Sequence, residues 1–336
     1  MSTYQKIHGR SIQAVTADPP ASAGEGQVWY NTTSDTFKSG VLSETWSSGG
    51  NLGTARYVSA GTGTTSAGLY TGGIRAPGGS PPTEESSVEE YDGSSWSEVN
   101  NMPEPRWSHS MTGTQTAAIV AGGYSSSLSG GYTNTSRSYD GTNWTSQPSM
   151  NTTRRNLNSC GTATAALAAG GIPPPGTAVS SATETYDGSS WTSVNSFNTA
   201  RQNGFLIGTI PNAFLAGGSA PPPTLYTNHE NYDGTNWSEA ATDLVTGGLG
   251  ANGGGTVTSA IVVGGPSAGQ GNTGSQTFNG TAWATSATLS TDKNARAGSG
   301  TTQNNSYVAG GGPAPSASAA TEEFDSSIGV KTLTQS

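Results

Sequence analysis

One cysteine, three histidines and four lysines in 336 residues remove several chemistries at once. Cys160 has no partner for an internal disulfide, and a thiolate metal cluster cannot be built on it alone. Its expected place is a small buried position in a strand of the third repeat described below. With four lysines, a net charge of −9 and no basic stripe or charge run, no nucleic-acid partner is expected. No apolar stretch approaches the roughly 20 residues that span a bilayer, so no membrane insertion is expected. The first ten residues lack the apolar centre of a secretory leader. Large aliphatics are scarce as well: Leu, Ile, Val and Phe make up about 13% of the chain. That fraction alone reads as disorder.

Against disorder stand eight Trp and twelve Tyr that recur in register. Each large aromatic buries on the order of 150–250 Å². The register is set by six glycine doublets, Gly72-Gly73, Gly122-Gly123, Gly170-Gly171, Gly217-Gly218, Gly264-Gly265 and Gly310-Gly311, spaced 50, 48, 47, 47 and 46 residues apart. Each ends an apolar run such as Ala118-Ile119-Val120-Ala121. Each is followed by an aromatic: Tyr91, Tyr139, Tyr186, Tyr232, Phe278 and Phe324. Five positions after the first five come Trp96, Trp144, Trp191, Trp237 and Trp283. A period of 40–50 residues with fixed glycine and aromatic positions is the signature of a propeller blade.

One repeat shows the pattern. Residues 106–114 can form a first strand and 116–121 the apolar second, ended by the doublet. After a loose stretch, 136–139 form the third, Asp140-Gly141 the hairpin turn, and Trp144 opens the fourth. The tryptophans are expected to bury between neighbouring blades.

Two charged columns accompany the aromatics. Ten residues after each tryptophan stand Arg56 (after Trp46), Arg106, Arg154, Arg201, Gly247 and Lys293. Two residues before each aromatic stand Glu89, Arg137, Glu184, Glu230, Gln276 and Glu322. Paired within a blade, they read as structural ion pairs. The blade with Gly247 has also lost its carboxylate, as the cost of an unpaired buried charge requires. Arg106 with Arg137 breaks the rule.

The sixth repeat has no tryptophan after Phe324. Trp46, with its ten-residue step to Arg56, is the expected replacement, closing the ring against an open edge. Residues 330–334 are the competing fourth strand, and both could join. Residues 1–40 lie outside the repeats as an arm in which 27–31 and 36–38 read as a hairpin across 32–35. The propeller is assigned to 41–336.

Strand alternation puts the short Asp-Gly turns on one face and the long, dissimilar connectors 74–87, 124–135, 172–182, 219–228, 266–274 and 312–320 on the other. A rigid ring with one variable loop face is a binding platform. Its bulky residues, Trp107, Tyr124, Tyr132, Leu225 and Tyr226, are the candidate binding residues, suited to sugars or a protein surface.

The Gly-Gly, Tyr and Trp columns, with an arginine before each first strand, resemble the kelch repeat over about residues 44–336. The stretch Gly26-Gln27-Val28-Trp29-Tyr30-Asn31-Thr32-Thr33 with Thr36-Phe37-Lys38 is similar to a segment of tail-fibre and other appendage proteins of bacteriophages, particularly marine ones. The Tyr-Asp-Gly-Ser-Ser-Trp and Tyr-Asp-Gly-Thr-Asn-Trp repeats resemble kelch-like proteins of such phages. These resemblances imply an all-β, six-bladed kelch-like β-propeller with a short N-terminal arm, non-enzymatic and resident in the virion. Its partners would be other virion proteins, through the arm, and a host cell-surface glycan or protein, through the long-loop face, with multiple copies per particle. A decoration or connector subunit docking onto other viral proteins is the alternative, and a hydrolase or oxidase a third reading. Kelch-like copper oxidases hold copper with tyrosine and histidine beside a Cys–Tyr cross-link. Here His109 and His229 fall in different blades and His8 in the arm, so no metal or other cofactor is expected. The sialidase Asp-box separates its Asp and Gly by one residue, whereas here they are adjacent.

Overall fold

The Asp-Gly pairs turn the chain as their chemistry requires. The computed structural model describes residues 12–19, 26–75, 83–221, 224–248, 252–264, 273–291, 297–312 and 317–333. Asp92 Oδ1 accepts the backbone N–H groups of Ser94 and Ser95, both at 2.8 Å. Asp140, Asp187 and Asp233 make the same pair of bonds in their repeats, and Asn279 makes it in the fifth. This is the Asx turn that favours Asp and Asn at a hairpin. The bonds hold the carboxylates low: Asp92, chiefly through the Ser95 N–H, and Asp187, chiefly through the Ser189 hydroxyl, both fall to about 2.

Each turn joins the third strand of a sheet to its fourth. In the second repeat the order is Ser110–Thr114, Ala117–Ala121, Ser136–Tyr139 and Trp144–Gln147, all antiparallel, with Tyr139 opposite Trp144. The first, third, fourth and fifth repeats form the same four-stranded sheet. First strands neighbour one another in chain order, and that of the sixth repeat, Ala297–Ser299, returns to Ala60–Thr64 of the first. Six sheets thus surround one axis.

Contacts divide the chain into two units, residues 46–324 and residues 1–45 with 325–336. In the larger unit, Ala297–Ser299, Tyr307–Ala309 and 321–324 form three strands of the sixth sheet, and 46–48 take the fourth place. The Trp46 and Phe324 rings meet at a tilt with centres 5.2 Å apart, and the Gly49 N–H donates to Thr321 O at 3.0 Å. The competing candidate for the fourth strand does not take that role. Residues 330–332 prolong the third strand, Thr321–Thr332, beyond the blade. In the smaller unit, Val28–Asn31 pairs antiparallel with 36–39 across the expected turn and parallel with Gln13–Val15. A polar node compensates for its few apolar residues. Asp18 accepts Asn31 Nδ2 at 2.7 Å, Trp29 Nε1 at 3.0 Å and Lys38 Nζ at 3.0 Å, which, with Asn31 foremost, hold it near 2.

Cores form between adjacent sheets, and the tryptophans bind them together. The indole N–H of three of them reaches back to the preceding blade, to the residue three before its aromatic. Trp96 donates to Thr321 Oγ1 at 2.9 Å, Trp191 to Ser136 Oγ at 3.1 Å and Trp283 to His229 Nδ1 at 3.2 Å. Trp144 departs from the expected burial. Its counterpart is Val88, which offers no acceptor, so the indole turns to Asn100 O at 3.0 Å and stays half-buried. For Trp237 the counterpart is Thr183, and both polar atoms are buried without a partner.

Candidate binding face

The arginine column lies inside the blades. Arg56, Arg106, Arg154 and Arg201 are each fully buried. Arg154 is typical: it donates to Gly170 O at 3.1 Å, Ala182 O at 2.5 Å and Glu184 Oε1 at 3.1 Å. The same three partners recur as Gly72, Ser87 and Glu89 for Arg56, and as Gly217, Asn228 and Glu230 for Arg201. The glutamate also accepts N–H groups from the chain two and three residues before the arginine, as Glu184 does from Asn151 and Thr152. The arginine carbonyl accepts the second glycine N–H of the preceding blade, for example Gly123 to Arg154 O at 2.9 Å. A side chain on Gly122, at φ +65°, would meet that carbonyl at 2.7 Å, which accounts for the doublet.

The two irregular blades resolve on this frame. In the second, the residue three before Arg106 is Pro103, which has no N–H to offer a carboxylate at position 137. Glu104 supplies the carboxylate instead, bonded to Arg106 and 3.3 Å from Arg137, so the two charges have changed places. In the fifth, the ten-residue step points one position short. Gly248, not Gly247, offers the carbonyl to Gly218, at 3.2 Å. Gln276 takes the glutamate's place: its Oε1 accepts Val245 and Thr246 N–H, and its Nε2 donates to Thr246 O at 2.9 Å. Lys293 lies outside the described residues. Its expected partner Glu322 accepts Ser290 N–H at 2.7 Å and Thr291 N–H at 3.3 Å. The column is therefore architecture.

A different feature occupies the rim on the long-connector side. Trp107 and Tyr124 exchange backbone hydrogen bonds of 2.8 and 3.0 Å, and their rings stand 5.0 Å apart. Tyr132 meets Tyr124 edge-on at 5.5 Å. Arg155, from the next blade, lies with its guanidinium carbon 5.3, 5.7 and 5.1 Å from the Trp107, Tyr124 and Tyr132 ring centres. Glu84 ties the lining together, accepting Trp107 Nε1 at 3.0 Å and Ser126 N–H at 2.8 Å. With Pro105 these residues line a cavity of about 650 Å³. Gly176 carries the next connector against the Tyr132 hydroxyl, where a side chain would collide.

Three candidate residues thus converge and two do not. Leu225 pairs with Ser219 in a two-stranded ribbon of the fourth blade. Tyr226 donates its N–H to Gly218 O and lies 5.8 Å from the buried Arg201 guanidinium. Arg155 and Glu84 were absent from the sequence-based set. The available signal was the doublet Arg154-Arg155, whose second member has no place in the repeat.

A second cavity, of about 1000 Å³, is enclosed by the first strands of all six sheets. At its rim Val58, Ser108, Asn156 and Asn203 each adopt a left-handed φ of 50–54°. Ser108 N–H donates to Val58 O, Asn156 to Ser108 O and Asn203 to Asn156 O, linking four blades in a belt. The strained backbone is over-determined by that belt. Besides Arg155, the titratable side chains lining this cavity are His109 and Cys160. Burial, with Arg106 adding repulsion, pushes His109 down to about 3, and burial pushes the Cys160 thiol up. Among the described residues no group of three His, Cys, Asp or Glu side chains converges as metal ligands would.

No family model and no curated protein matches the chain. Among solved structures, one titled "Structure of YjhT" aligns over 84% of this chain and 99% of its own, at 13% identity and a TM-score of 0.65. The chain folds as a β-propeller. At that identity the likeness carries the fold and nothing of the neighbour's activity.

Proposed function

We propose that this chain is a non-enzymatic binding propeller, a kelch-like subunit of a phage tail fibre or other appendage that contacts the host surface through its long-connector face. The observation that carries the reading is the convergence of Trp107, Tyr124, Tyr132 and Arg155 into one rim cavity. Aromatic faces and open donors on a rigid ring are recognition chemistry. The chemistry of the axial cavity also supports it. At neutral pH, His109 is uncharged and tied through Nε2 to Thr71 Oγ1 at 2.9 Å, and Cys160 keeps its proton. Neither supplies an activated base or nucleophile. The smaller unit exposes Val41, Leu42, Val330 and Leu333, which suits attachment to another virion protein.

Adsorption of the purified, labelled chain to the bacteria the particle infects tests the reading. Trp107→Ala should abolish adsorption and leave incorporation into particles unchanged. Blocked assembly with intact adsorption would transfer the function to decoration or connection within the virion.

A further inference from the structure

Arg155 differs from every other arginine at a blade junction. Its neighbour Arg154 has a carboxylate and three carbonyls, whereas the Arg155 guanidinium has three ring faces and no carboxylate within ion-pair distance among the described residues. Its Nε is buried without a hydrogen-bond partner, as are those of Arg56, Arg106 and Arg154, so the difference lies in the rest of the guanidinium. Its backbone is fixed by paired bonds with Ile172, of 3.0 and 2.8 Å. The rings hold the guanidinium by cation–π contact, and among the described residues no hydrogen bond engages its Nη1 or Nη2 donors. The one nearby carboxylate, Glu84, is committed to Trp107 and Ser126. The cavity therefore presents unmatched guanidinium donors beside aromatic faces, and its one carboxylate among the described residues is already engaged.

We infer that the rim cavity recognises the carboxylate of an acidic surface saccharide, with Arg155 as its anion-binding residue and Trp107 and Tyr132 packing on the sugar. The inference rests on the binding-face reading above and names the chemical class of its ligand. A planar carboxylate matches the guanidinium fork in a bidentate pair. Arg155 supplies a single positive charge and Glu84 lines the same cavity, so a singly charged carboxylate fits better than a doubly charged phosphate. The net charge of −9 gives no general attraction for anions, so recognition has to be local.

Titration with D-glucuronate and, in parallel, D-glucose tests this, following the Arg155 Nε–H resonance assigned through its loss in Arg155→Lys. The signal should shift saturably with glucuronate and remain still with glucose. Arg155→Gln should weaken glucuronate binding about tenfold or more, read at the Trp107 indole N–H. Arg155→Lys keeps the charge without the fork and should fall between. Equal response to both sugars would overturn the inference. A still Arg155 signal, with cell adsorption that Trp107→Ala abolishes, would overturn the carboxylate and leave the binding face standing. A still signal with adsorption indifferent to Trp107→Ala would overturn both.

Discussion

Arg154 and Arg155 are adjacent in the chain and face opposite demands. Arg154 is sealed inside its blade, where burial lowers its basicity and Glu184 offsets only part of that loss. It belongs to a column that recurs at Arg56, Arg106 and Arg201, and each member holds the same carbonyls together. Arg155 recurs nowhere; its counterparts are Tyr57, Trp107 and Gln202. The repeated arginine keeps the ring together, and the unrepeated one gives this ring a property the other junctions lack. In a repeat protein, departures from the repeat are where specificity is sought.

The comparison breaks most visibly on the buried side. Arg154→Ala leaves Glu184 charged and unpartnered inside the blade and should cost about 3–5 kcal/mol in denaturant unfolding. Adding Glu184→Gln should recover part of that loss, because Gln276 shows that a carboxamide satisfies the same backbone N–H groups without an arginine. If the double variant is no better than the single, the column is not the paired unit described.

The tryptophans give the next effect. Trp191→Ala should cost about 3–5 kcal/mol, the usual loss for a large buried aromatic. Trp144→Ala, at the half-buried position facing Val88, should cost clearly less in the same unfolding measurement. Thr183→Val should change stability by under about 1 kcal/mol, since the Thr183 hydroxyl has no partner to lose.

A smaller effect is set by pH. His109 is held near 3 in the fold, and an unfolded histidine takes its proton near 6.5. Its contribution is therefore fully present above about pH 6.5 and is lost progressively as the pH falls towards 3. The depressed Asp92 and Asp187 carboxylates add a loss only below about pH 4, as the pH falls towards 2. Burial also holds His229 below its usual value, so thermal melts from pH 7.5 to 4.5 should slope downward, and His109→Gln should reduce the slope without removing it.

The columns made the architecture legible in the sequence. A glycine doublet, an aromatic facing a Trp, and an Asx turn each impose a local geometry, and their recurrence leaves one way to assemble them. Irregular positions were legible only in part. The Glu104 exchange was hidden because the signal was an absence, the missing N–H of Pro103. The one-residue slip to Gly248 was hidden because glycine on both sides left no side chain to mark the register. Trp107, Tyr124 and Tyr132 could be named as rim residues, but their meeting depended on the path of a connector that carries no repeat signal. Arg155 was masked by its neighbour, which accounted for the repeat by itself.

The most direct measurement sets Arg154→Gln beside Arg155→Gln, with unfolding free energy and adsorption to host cells read on both. The account predicts that Arg154→Gln loses several kcal/mol of stability. Arg155→Gln should lose clearly less, about 2 kcal/mol or less, the scale of partly desolvated cation–π contacts, and should fail to adsorb. An Arg155→Gln chain as unstable as Arg154→Gln, or one that adsorbs like the wild type, would contradict the division between the arginine that builds the ring and the arginine that reads a ligand.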